Sequence, residues 1–178
     1  MNGAEGAKDI ILGYLQPRIE GVLTWARHDP VLNAQHSFPA VHVTVHSVES
    51  ARYDGDPILN LWQFDYRIRV WCFVRGDSFD GTTNARDALI LAVRSLLLAQ
   101  PSLAAEVAAR VNTASLRENY IDALVDTSAA RTLAGGFVEF LLTVEEQVDD
   151  GYDRYTIVLG ESLVDILDEE PILVEEVP

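Results

Sequence analysis

The run from Ile58 to Val74 alternates over most of its length: Trp62, Phe64, Tyr66, Ile68, Val70, Cys72 and Val74 fall on even positions, and Gln63, Asp65, Arg67 and Arg69 on odd ones. Successive side chains of an extended strand point to opposite faces, so this spacing buries the even set and puts the odd set on a second face. Strands usually run to about five or six residues. A run this long is either a long, bent strand or one arm of a hairpin that reaches past the core. Every other element has to be placed around it.

Upstream, Val41, Val43 and Val45 alternate with His42, Thr44 and His46 between Pro39 and Glu49, which predicts a half-buried strand. The Asp54-Gly55 pair inside Arg52–Pro57 suits a tight turn, so the two runs form a long β-hairpin. Before it, Ile10, Ile11, Tyr14, Leu15, Ile19, Val22 and Leu23 recur at helical spacing from Lys8 to Arg27. Pro17 interrupts that helix and His28-Asp29-Pro30 ends it.

After the hairpin, a loop over Gly76–Gly81 leads to Thr82 or Thr83 as helix cap. A helix over Ala85–Gln100 follows, with Ala85, Ala88, Leu89, Ala92, Leu96 and Ala99 as its buried stripe, broadened by Leu91, Val93 and Leu97. Past Pro101, Ser102–Val111 reads as a short alanine-rich turn. Strands are predicted over Ser115–Asp126 and Gly136–Gln147, with a bulge or a close approach at Ala134-Gly135-Gly136. The order implies an α+β fold: an antiparallel or mixed sheet with a long β-hairpin and helices packed on one face.

A chain of 178 residues suits one domain, but its charge is uneven. There are 28 acidic and 13 basic residues, and ten of the carboxylates lie between Val148 and Pro178 beside the single Arg154. We therefore read 1–147 as the α+β body and 148–178 as an acidic, partner-facing C-terminal extension. Within the extension, Tyr155–Leu159 suits an extra strand. A net charge of −15 repels nucleic-acid phosphates and anionic lipid. The lone Cys72 excludes an intramolecular disulfide, and no stretch reads as a secretory signal or a membrane span, so a soluble protein assembled in a reducing cytoplasm is expected.

Residues able to carry chemistry are few. His42 and His46 on one strand face stand about 13 Å apart, too far to share a metal ion, and His28 and His36 add no ligand spacing; solvent-facing or interface imidazoles are the better reading. Gly76-Asp77-Ser78 superficially resembles the nucleophile motif of one esterase family, yet no histidine follows Ser78 to activate it. The acidic pairs Asp54/Asp56, Asp149/Asp150 and Glu169/Glu170 lack calcium-loop spacing, and no glycine-rich phosphate loop occurs. No catalytic, cofactor-binding or metal residue is expected, nor any cofactor.

Four features taken together resemble the tail terminator proteins of long-tailed bacteriophages. They are the early helix ending near Trp25, the hairpin of Val41–Val48 and Trp62–Val74, the helical segment Arg86–Leu97, and Arg131–Phe140 leading into a final strand. The resemblance spans Ile10–Gln147 and is one of order and length, since that family has no short invariant motif. It implies a structural virion protein of the neck, not an enzyme. Such a protein forms a homo-oligomeric ring, usually of six subunits, that caps the tail tube protein and joins it to a head-side connector protein. DNA passes through its channel without specific binding, and no membrane is involved. The acidic extension departs from the minimal family pattern. Alternative readings are a small hydrolase or ligand-binding domain with a dispersed site around Ser78 and the histidines, or another head-completion or tail-tube protein.

Overall fold

The computed structural model describes residues 3–28, 30, 37–53, 60–103, 108–148, 157–159 and 162–164, with the backbone alone at 122–126, 157–159 and 162–164. The chain divides into two units, Met1–Val148 and Asp149–Pro178. In the first, helix α1 (Gly3–Leu15) passes through a 3-10 turn (Gln16–Arg18) into the short strand β1 (Thr24–Ala26). Strands β2 (Ala40–Tyr53) and β3 (Leu61–Gly76) form the long hairpin, helix α2 (Phe79–Ala99) follows, and β4 (Ala109–Asp126) and β5 (Arg131–Gln147) complete the sheet. The spatial order is β1-β2-β3-β5-β4, with β1 parallel to β2 and the other neighbours antiparallel. This is a mixed sheet in an α+β fold, as the sequence implies. In the second unit, β6 (Ile157–Leu159) and β7 (Ser162–Val164) pair as an antiparallel ribbon.

Both helices lie on one face of the sheet. One apolar cluster joins Ile11, Leu12 and Leu15 of α1, Leu89, Ile90, Val93 and Leu97 of α2, and the inward residues Val41, Val43, Ile68, Val70, Val138, Phe140 and Leu142. The even face of β3 is therefore the core face, fully buried at Ile68, Val70 and Cys72 but only partly at Trp62 and Phe64. Polar bonds tie α1 into this layer. The buried Glu146 carboxylate accepts from Tyr66 Oη (2.7 Å) and from the Gly3 amide (2.9 Å), and Tyr14 Oη donates to the Leu96 carbonyl (2.9 Å).

Several expectations need correcting. Helix α1 starts five residues before Lys8 and ends at Leu15, because proline cannot donate to the preceding turn; Trp25 stands in a strand beside Val41, not at a helix end. Ser78 caps α2, accepting from the Gly81 amide (3.2 Å), in place of Thr82 or Thr83. The stripe of α2 is rotated from the alanine-based expectation: Thr82, Arg86, Leu89, Ile90, Val93 and Leu97 are buried, and Ala85, Ala88, Leu91 and Ala99 are exposed. Branched side chains offer more apolar area than alanine methyl groups, so they set the buried face. Strand β4 begins at Ala109, within the expected alanine-rich turn, and β5 begins at Arg131.

The sequence left β3 as a bent strand or a projecting arm. It is flanked on both sides, with β5 pairing along its full length from Leu61 to Gly76. The β3–β5 pairing runs straight through Gly135 and Gly136, β4 shifts register against the same stretch between Ile121 and Leu124, and both glycines also serve close approach. A Cβ at Gly136 would lie 2.6 Å from both Ile90 Cδ1 and the Asn119 carbonyl oxygen, and one at Gly135 would lie 2.7 Å from the Phe73 ring. Among the described residues no helix is long and apolar enough to cross a membrane.

Truncating the fully buried Phe140 to alanine should destabilise the protein by about 3–5 kcal/mol, whereas Leu98→Ala, on the exposed side of α2, should cost less than about 0.5 kcal/mol. Gly136→Ala should cost about 1–3 kcal/mol, because the contact that must give way includes backbone. Denaturant midpoints measure all three.

Candidate functional site

Among the described residues, neither helix packs on the odd face of β3. That open face carries a row of charge across three strands. Arg67 Nε donates to Glu49 Oε1 (2.8 Å), Arg67 Nη1 to Glu139 Oε1 (3.1 Å) and Arg69 Nε to Glu139 Oε2 (2.6 Å). One step along, Asp65 accepts from Ser50 Oγ (2.5 Å), Thr143 Oγ1 (2.6 Å) and Arg52 Nη2 (3.3 Å). Register explains why they meet: Arg69 lies opposite Glu139, Asp65 opposite Thr143, and Ser50 opposite Asp65. Glu49 arrives differently. It occupies the shift between Val48 and Ser50, where an extra residue turns the chain and re-aims its side chain toward Arg67.

The row ends in aromatic rings. Trp71 lies 4.7 Å from Phe137 and stacks on Phe73 at 6.1 Å, and the Arg69 guanidinium sits 5.1 Å from the Phe137 centroid. Trp71 Nε1 donates to Thr44 Oγ1 (3.2 Å). The electrostatics follow from the geometry. The hydrogen bond from Arg67, helped by Ser47, lowers the Glu49 carboxyl to about 2. Burial pushes Glu139 up, but hydrogen bonds from Arg69 and Arg67 outweigh it and hold the carboxyl below its usual 4.5. Asp65 is likewise raised by burial and lowered on balance by Ser50, Thr143 and Arg52.

The residues singled out for chemistry do not converge. His42 is fully buried, which corrects the expectation of a solvent-facing or interface imidazole; its Nδ1 donates to the His28 carbonyl (3.3 Å), and its ring meets those of His28 (5.3 Å) and Phe73 (6.1 Å) edge-on. His46 is exposed and falls at the β2 register shift between Val45 and Ser47, so it leaves the simple alternation with His42. Ser78 is a helix cap. Burial raises the Cys72 thiol to about 12, leaving it a small hydrophobe. His36, Asp54, Asp56, Asp149, Asp150, Glu169 and Glu170 lie outside the described residues. No group of three or more His, Cys, Asp or Glu among the described residues is placed to hold a metal ion.

The Glu49–Arg67–Glu139–Arg69 row was not anticipated. Its signal was the charged odd face of β3, but pairing Arg69 with Glu139 requires the register of a strand 70 residues away.

The sheet also has two long edges. β1 pairs only with Ala40–His42, so β2 from Val43 to Tyr53 has no further described strand beside it, and β4 has none beyond it. Exposed apolar side chains mark both edge strands, Val48 and Tyr53 on β2 and Tyr120 and Ile121 on β4. No family model matches the chain, and no curated protein matches it.

A carboxyl whose folded value is depressed contributes stability above its usual range and loses it as pH falls through the folded value. Glu139 and Asp65 should thus hold stability steady from about pH 7 to about pH 5 and release it below about pH 4.5. Glu139→Gln should cost about 1 kcal/mol at neutral pH and flatten that acid limb, as read from denaturant midpoints across pH.

Proposed function

We propose that this chain is a structural protein that works by assembly and not by catalysis, forming a ring of the tail terminator kind that caps a phage tail tube and joins it to a head-side connector. The observation that carries the reading is the pair of long sheet edges on opposite sides of one sheet. β4 lies at one end of the strand order, and β2 beyond His42 faces outward at the other. An unpaired strand offers backbone groups to another chain, and contact between two different edges is heterologous, so successive copies must close into a ring or polymerise. The Val111 amide already donates to the Pro101 carbonyl (2.8 Å), and the register shifts in β4 leave Arg117–Ile121 as its straight stretch for strand addition. That restriction favours one partner geometry over indiscriminate pairing.

The element order supports the same reading. The long hairpin, the helix over Arg86–Leu97 and the strand from Arg131 match three of the features on which the resemblance to tail terminators rests, whereas the early helix ends at Leu15 and not near Trp25. The helix-free face adds a ladder of fixed charge whose complement on a neighbour would set orientation more than affinity. A net charge of −15 suits a ring through which DNA slides without specific binding. The acidic residues 148–178 are read as facing a neighbour in the neck, either the tail tube or the head-side connector.

Native mass spectrometry of the purified chain, alone and with tail tubes, should give a closed ring, six subunits being expected. A strictly monomeric species under both conditions would overturn the proposal. Lysine at Tyr53 or Ile121, both exposed, should weaken assembly by roughly tenfold or more while leaving the thermal midpoint of the monomer unchanged.

A further inference from the structure

At the aromatic end of the open face, Arg75 and Arg131 line one cavity of about 250 Å³ together with Phe38, Gly76 and Asp77. The two arginines come from adjacent strand ends, where Gly76 of β3 pairs with Thr132 of β5. Gly76 contributes backbone to the lining, and a Cβ there would point away to the helix side, 2.5 Å from Thr82 Oγ1. The Arg75 guanidinium rests 4.4 Å from the Phe38 ring centroid, which fixes its plane and leaves its N–H edge able to donate elsewhere.

What sets this place apart, among the described residues, is two unpaired cations on one cavity. Lys8, Arg27, Arg52, Arg67, Arg69, Arg86 and Arg94 each lie within ion-pair distance of a carboxylate. Arg18, Arg75, Arg110, Arg117 and Arg131 form no such pair among the described residues, and of these Arg75 and Arg131 line the same cavity, with Asp77 beside them. Two guanidinium groups that converge on a concavity present a planar, multidentate donor set suited to an oxyanion. Asp77 leaves the lining with a single net positive charge, which matches one carboxylate better than a doubly charged phosphate. Because the chain as a whole is strongly negative, an acidic ligand must be recognised locally and not by the long-range field.

We propose that this cavity captures a carboxylate side chain from an acidic segment of a partner protein, with Arg75 and Arg131 donating to its two oxygens. The site needs no ring to operate, so it stands or falls apart from the assembly reading.

Hexaglutamate titrated into the full-length chain, followed by calorimetry, tests it. Arg75→Gln combined with Arg131→Gln should weaken binding at least about tenfold, the loss expected for charge-assisted hydrogen bonds in a partly open site. Arg18→Gln with Arg27→Gln changes net charge equally on exposed positions away from the cavity and should leave binding unchanged. Should the double variant unfold by circular dichroism, Arg131→Gln alone, on an exposed residue, should still weaken binding severalfold. Equal weakening by both double variants would overturn the proposal, as would no binding by the wild-type chain. Tighter binding of inorganic phosphate than of hexaglutamate, lost in the same variants, would overturn it in favour of a phosphate site.

Discussion

The unbroken antiparallel pairing of β3 with β5 is the constraint on which the rest depends. From Leu61 opposite Gln147 to Gly76 opposite Thr132 the two strands keep one register. Since strand side chains alternate with a period of two, a slip of one residue would exchange every inward and outward position. One register therefore places Ile68, Val70, Phe140 and Leu142 beneath the helices and, by the same step, brings Arg69 to Glu139 and Asp65 to Thr143 on the other side. The core and the charged face are two consequences of a single pairing.

The flanking strands are less regular, and their irregularities are used. β2 shifts register twice against β3; the residues it places opposite the even face of β3 are Val41, Val43 and Val45 before the first shift, Val48 between the two, and Ala51 and Tyr53 after the second, the last three being exposed. The second shift gives Glu49 its reach to Arg67. β4 shifts against β5 between Asn112 and Arg117, where local side chains satisfy the interrupted ladder: Asn112 Oδ1 accepts from the Ala114 amide, and Ser115 Oγ donates to the Asn112 carbonyl and accepts from the Leu141 amide. A regular central pair keeps the core in place, and the irregularity is confined to the strands on either side of it.

The helix layer is fitted to the sheet by small local means. Gly136 lets Ile90 approach the backbone of β5, and Arg86, though charged, is buried on the inward side of α2 because Asp87 pairs with it and the Ile121 carbonyl accepts from it (3.0 Å). On the opposite face Gly135 accommodates Phe73, whose ring joins Trp71 and Phe137 in an aromatic end-piece beside the Arg75–Arg131 cavity.

The sequence by itself determined the α+β class, the long antiparallel pair and the core face of β3. Those rest on periodicity and residue type, which are local and survive in a one-dimensional reading. It misplaced the buried stripe of α2 and the environment of His42, because helix rotation and burial depend on what the opposing surface offers: Ile90 meets Gly136, and His42 lies under His28 and Phe73. Only the tertiary structure decided which charges meet. Arg67 was visible as one of several charged residues on an odd face, but its joint contact with Glu49 and Glu139 depends on a register shift in one neighbouring strand and a long-range pairing with the other. The convergence of Arg75 and Arg131 was out of reach for the same reason, since residues far apart along the chain become neighbours only when strand register is fixed.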